Sequence, residues 1–201
     1  MKLELESYEI DNYLNETETI DFSSLEIQRV ARKLKDKCQN NIELIRATYE
    51  FVRDKIGHSA DIKGSHVTCI ASDVLFYKEG ICYAKSHLLA ALLRCNGIPT
   101  GFCYQKLILD DHKAPYLILH GLNGVYVAEF DKWIRLDPRG NKEGVLAEFS
   151  LDDEKLAFKV RPELFEEDLP IVYVEPRESV VVALNRYDTV EGLFENLPKE
   201  V

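Results

Sequence analysis

Three residues of this sequence have the types a nucleophilic cysteine site requires. Cys82 stands in Glu79-Gly80-Ile81-Cys82-Tyr83-Ala84, where a helical pattern begins. Unpaired N–H groups and the positive end of a helix dipole favour a thiolate at such a position, and the thiolate is the nucleophilic form of cysteine. Gly80 lets the backbone turn sharply into the helix and lets a substrate come close. The N–H of Cys82 would then face a developing oxyanion. His120 closes an expected strand from Tyr116, where its imidazole could pair with the thiol and later protonate a leaving amine. Asp137 follows an expected strand in Trp133-Ile134-Arg135-Leu136-Asp137-Pro138, where a carboxylate could orient the imidazole through its other nitrogen. Each residue also has a plainer reading: a packed cysteine, a satisfied strand histidine, a turn-forming Asp before Pro.

The elements that must position them follow from the pattern of apolar residues. Leu3 to Ile10 alternates weakly, as a strand does. Ser23 and Glu26 have capping-box spacing before one helix, and Asn40 and Glu43 before a second that ends near Gly57. His58 to Val67 is polar and irregular. Ser72-Asp73 suits the cap of a short helix. Ile81, Ala84, Leu88, Ala91, Leu92 and Cys95 then line one helical face, which Asn96-Gly97 and Pro99 terminate. Beyond Pro99, β-branched and aromatic residues predict strands over 101–109, 116–120, 124–130 and 132–136. Asp110-Asp111-His112-Lys113, Asn123-Gly124 and Asp131-Lys132 read as the turns between them. Ile171 to Val174 and Val180 to Leu184 read as strands, and Thr189 to Asn196 as a short helix. A helical half followed by an antiparallel sheet is the α+β class.

Gly80-Ile81-Cys82-Tyr83-Ala84-Lys85, with Arg94-Cys95-Asn96-Gly97-Ile98-Pro99 at the far end of the helix, resembles the nucleophile helix of the transglutaminase-like superfamily. His120 through Tyr126, and Trp133 to Pro138, resemble its histidine strand and its Trp-x-x-Leu-Asp-Pro strand. The resemblance covers about 70–139. It implies a papain-like fold in one domain over 1–201, with a catalytic core of about 40–142 between N-terminal helical and C-terminal extensions. By residue, it implies Cys82 as nucleophile, His120 as general base and acid, and Asp137 as the group that orients the histidine. One departure is His120-Gly121-Leu122, where the family often has His-Ala-Trp. The family also tends to complete the oxyanion hole with an upstream side chain, for which His58 and Tyr77 are candidates by position.

The implied reaction is attack of Cys82 on an amide or peptide carbonyl, giving a thioester that water or an amine resolves. Hydrolysis is the expected outcome, with a peptide or protein amide as substrate and no cofactor or metal. A module that keeps the fold and only binds a peptide or protein is the alternative, and a redox or metal-binding thiol protein is a third reading. The chain has 201 residues, a formal net charge of -10, 46% hydrophobic and 30% charged residues. That balance predicts a globular chain and disfavours nucleic acid and anionic membranes as partners. The five cysteines include no CxxC pair, which predicts free thiols and, without a secretory leader pattern, a cytoplasmic protein. Cys95 is expected in the core, His87 on another face of the nucleophile helix as a surface or second-layer group, and His66 and His112 in solvated loops. Trp133 is expected to pack under the sheet, with walling of the active cleft as a lesser reading. Arg139 and Asn141 are expected at the cleft rim.

Overall fold

The computed structural model describes every residue except 111–113, and the backbone alone of Ala114. A short strand β1 (Glu4–Leu5) and a 3-10 turn lead to helices α1 (Leu25–Lys35) and α2 (Asn41–Lys55). Strand β2 (Gly57–His58), helices α3 (Ser59–Ile62) and α4 (Ala71–Tyr77), and strand β3 (Glu79–Gly80) precede helix α5 (Cys82–Cys95). Two long strands follow, β4 (Thr100–Asp110) and β5 (Ala114–Val127), and then β6 (Lys132–Leu136). Strands β7 (Glu167–Asp168) and β8 (Ile171–Val172) and helices α6 (Glu178–Arg186) and α7 (Val190–Phe194) complete the chain. Among the described residues, no helix is long and apolar enough to cross a membrane.

The main sheet is antiparallel with the order β6-β5-β4-β7, so the fold is α+β as expected. β6 pairs only with the second half of β5, from Asn123 to Val127. The first half of β5 therefore presents a free edge at Leu119, and the start of α5 fills it. The Tyr83 hydroxyl donates to the Leu119 carbonyl, while the Leu119 N–H donates to Pro198 O at 2.7 Å.

Helix α5 is not one-faced: every residue from Cys82 to Arg94 is buried. Burying a polar group without a partner costs free energy, and α5 meets this by sending Lys85, His87 and Arg94 to backbone carbonyls of other elements and Ser86 to the Cys82 carbonyl of its own first turn. Arg94 donates to Thr100 O at 2.9 and 2.7 Å, to Asn15 O at 2.7 Å and to Val174 O at 2.5 Å. One guanidinium so joins the helix end to the N-terminal segment, β4 and the stretch after β8.

Several local signals were overruled by tertiary contacts. Asn123-Gly124 is not a turn, because β5 runs straight through it. The Asn123 amide is buried and donates to Ser86 O and Gly101 O, both at 3.1 Å. Gly124 is needed because a Cβ there would lie 2.7 Å from Val172. Val180 to Leu184 is helical, not a strand: within α6, Val180, Ala183 and Leu184 are buried while Val182 is 52% exposed, a helical spacing. Helix α1 begins after Ser24, which makes no side-chain cap, so the Ser23–Glu26 box does not form. In α2 the Asn40 cap does form, with Glu43 N donating to Asn40 Oδ1 at 2.9 Å. At α4, Asp21 reaches across to accept from Ser72 N at 3.0 Å, in place of a local Ser72-Asp73 cap. The expected turn after Asp110 lies outside the described residues, as does His112.

Arg94→Met should lower stability by on the order of 3 kcal/mol, since the buried Thr100 carbonyl and the part-buried Asn15 and Val174 carbonyls lose a charged donor. Urea unfolding checks this, with a lower midpoint and an unchanged slope expected.

Candidate active site

His120 lies on β5 opposite Gln105 of β4, and Asp137 directly follows Leu136, the β6 residue paired with Asn123. Neighbouring antiparallel strands thus bring imidazole and carboxylate together, with His120 Nε2 2.8 Å from Asp137 Oδ2. Asp137 is 1% exposed. It also accepts from the N–H of Arg139 and of Ala157, each at 3.1 Å. Burial opposes its ionisation, but His120 and these two backbone donors outweigh that and hold its pKa below the ordinary value. Cys82 and His120 line the same cavity, and Cys82 lies near enough to act on the ionisation of the imidazole. Burial works against the imidazolium, but the charges of Asp137 and Cys82 prevail and push the His120 pKa up to about 10.

Cys82 and His120 open onto a cavity of about 620 Å³. Its polar lining includes His58, Asp61, Arg139 and Lys142, with Asp110, Lys159, Arg161 and Glu166 elsewhere around it. Asp61 accepts from Arg139 at 2.5 and 3.0 Å and from Lys142 at 2.7 Å. The ladder between β2 and β3 sets His58 beside Gly80, two residues before Cys82. Burial, then Arg139, lowers the His58 pKa to about 3, so its ring is neutral. His58 Nδ1 is buried without a hydrogen bond, 3.9 Å from Asp61. Tyr77, the other upstream candidate, is 44% exposed and stacks on His66 instead.

The Gly121-Leu122 departure has a physical reason. A Cβ on Gly121 would lie 2.6 Å from the Tyr83 ring, so glycine makes room for the residue that follows Cys82. Leu122 is fully buried beside Tyr13, Cys103 and Val172, away from the cavity. The aromatic next to the imidazole is Phe158, edge-on to His120 with ring centroids 5.0 Å apart. Sequence reasoning missed Phe158 because it belongs to an irregular stretch with no periodicity. Trp133 packs against Tyr13 at 4.7 Å and does not line the cavity. Arg139 lines it, whereas Asn141 secures the loop by two hydrogen bonds to Ala147.

His87 is not a surface group. It is buried, bonds Cys69 O through Nδ1 at 2.8 Å, and burial lowers its pKa to about 4. His66 is bonded to Glu79. All five cysteines are free thiols. Burial pushes Cys69 up to about 11 and Cys103 up to about 12. Among the described residues, no three His, Cys, Asp or Glu side chains converge as metal ligands.

Lys85, one turn after Cys82, is fully buried and donates to Ile56 O at 2.5 Å and Arg53 O at 3.2 Å. It thereby satisfies carbonyls at the end of α2 and ties the backbone just before His58 to the nucleophile helix. Burial, then Arg139, lowers its pKa to about 7.

The family described as the transglutaminase-like superfamily matches residues 28–138, more than half of the chain. The chain belongs to this superfamily. Among solved structures, a candidate cysteine protease from Cytophaga hutchinsonii is 19% identical with a TM-score of 0.53, over 66% of this chain and 43% of that one. The periplasmic domain of TgpA from Pseudomonas aeruginosa is 17% identical with a TM-score of 0.46, over 63% and 45%. Red sea bream transglutaminase is 16% identical with a TM-score of 0.40, over 66% and 26%. The match thus spans less than half the length of each of these structures. No curated protein matches. At these identities the structural likeness speaks for the fold alone, which is the expected papain-like, transglutaminase-like one.

The two shifted cations give stability slopes of opposite sign. His120 has its pKa raised on folding, so its stabilising effect is complete below about 6.5 and lost as pH climbs towards about 10. Lys85 has its pKa depressed, so its burial costs stability below about 7, and that cost vanishes as pH rises towards 10.5. The advantage of wild type over His120→Ala should therefore shrink between pH 6.5 and 10. The stability of Lys85→Met relative to wild type should fall between pH 7 and 10.5. Denaturant unfolding across this range checks both slopes.

Proposed function

We propose that the protein is a cysteine-dependent amide hydrolase. The observation that carries this reading is the His120–Asp137 pair at 2.8 Å, with His120 and Cys82 lining one cavity large enough for a peptide segment. The Cys82 thiolate attacks the carbonyl carbon of a peptide or protein amide while His120 holds the proton as imidazolium. The carbonyl oxygen takes up negative charge, facing the Cys82 N–H at the start of α5. The C–N bond breaks as the imidazolium gives its proton to the leaving amine, and a thioester remains on Sγ. Water then yields a proton to His120, its oxygen attacks the thioester, and the carboxylic acid departs with the thiol–imidazole pair restored. Asp137 orients the ring and stabilises the imidazolium. With five free thiols, the cytoplasm is the compartment we assign.

The neutral His58 is our choice for the side chain that completes the oxyanion hole, because the β2–β3 ladder holds it beside Gly80 in the same cavity. Loss of one oxyanion donor costs about 10²–10³ in kcat. His58→Phe should lower kcat by that factor and leave KM nearly unchanged, read with whichever peptide amide the wild type cleaves.

The test of the main reading is the alkylation rate of each cysteine against pH, mapped by mass spectrometry, in wild type and in His120→Ala. Cys82 should react fastest, in a manner that depends on His120, and peptide amides should then be cleaved by wild type and not by Cys82→Ala. An ordinary Cys82 that is indifferent to His120→Ala would favour the alternative, a silent fold that binds a peptide or protein. Adding a primary amine to the assay separates hydrolysis from acyl transfer by the product formed.

A further inference from the structure

The walls of the cavity differ in chemistry. One side is the charged group of Asp61, Arg139 and Lys142. The other is built on the β4–β5 hairpin. Direct pairing puts Gln105 opposite His120 and Leu107 opposite Ile118, so by the period of two Leu107, Leu109 and Ile118 share the face that carries His120. Val145 and Phe158, from the loop after β6, line the cavity too, Val145 bridged to Lys142 and the Phe158 ring under the Arg139 guanidinium at 5.7 Å. Phe158 is fixed there by its edge-on contact with His120 and by its carbonyl, which accepts from Gln105 Nε2 at 3.4 Å. An apolar surface this close to an imidazole serves no step of the proton transfer.

We propose that Leu107, Leu109, Ile118, Val145 and Phe158 form a specificity subsite for a bulky aliphatic or aromatic side chain flanking the reacting amide. This rests on the cysteine-hydrolase reading and names its substrate class: peptides with Leu-like or Phe-like residues next to the amide that Cys82 attacks. Burying such a side chain removes apolar area from water on both partners. An Asp or Lys in the same place would be desolvated against these apolar side chains.

The experiment uses N-acetyl aminoacyl chloromethyl ketones, in which the thiol displaces chloride, with Leu, Phe, Gly, Asp or Lys as the amino acid. Second-order labelling rates at Cys82 are divided by the rate with iodoacetamide, which has no side chain to place. Leu and Phe probes should exceed Gly by at least about tenfold, the discrimination a hydrophobic pocket can give. Asp and Lys should fall below Gly, and Leu109→Asp at the half-buried rim should bring the Leu-to-Gly ratio close to one. Equal rates for all probes at a Cys82 that iodoacetamide labels, or faster labelling by Asp or Lys, overturns the subsite and leaves the hydrolase reading standing. A Cys82 inert to iodoacetamide and to every probe, in protein shown to be folded by circular dichroism, removes both.

Discussion

A helix with no solvent-facing side is the constraint on which this structure depends. Residues Cys82 to Arg94 are all buried, although they include Lys85, Ser86, His87 and Arg94. Each of these must find a partner, and the partners are carbonyls: Arg53 and Ile56 for Lys85, Cys82 for Ser86, Cys69 for His87, and Thr100, Asn15 and Val174 for Arg94. Apolar contacts tolerate sliding, whereas hydrogen bonds to fixed carbonyls do not. The helix is therefore held against rotation and translation, which is what a thiol at its first turn requires if it is to meet an imidazole on another element.

The sheet supplies the complementary precision. Ending β6 partway along β5 opens an edge beside His120, and the register that pairs Leu136 with Asn123 sets Asp137 next to the imidazole. Gly121 removes the one side chain that would push Tyr83 away from that edge. Two backbone donors to Asp137, from Arg139 and Ala157, hold the carboxylate while His120 uses one of its oxygens. A carboxylate fixed in this way can orient a ring without changing its own place, which is the role preorganisation has in general acid–base sites.

Much of this was legible in the residues, and the failures have a common cause. The starts of α2 and α5 and the whole of β6 could be read because their signals are local: Asn40 with Glu43, Gly80 before Cys82, and a short apolar run between Asp131 and Pro138. Cys82, His120 and Asp137 could be singled out because each lies in a distinctive block of sequence. Asn123-Gly124 was misread as a turn because its amide bonds to residues 37 and 22 positions away, contacts that override turn propensity. The valines of α6 suggested a strand by composition, yet their burial follows a helical spacing. His58 could be named by position but not told apart from Tyr77 until the β2–β3 pairing was seen, and Phe158 as the neighbour of His120 had no local signature at all.

The second donor to Asp137 has a further consequence. The superfamily match stops at residue 138, but Ala157 N–H and the Phe158 ring reach back to the carboxylate and the imidazole. The stretch after the matched residues is thus joined to atoms inside them. A change in this stretch would alter ring orientation and cavity lining together, with no substitution among residues 28–138.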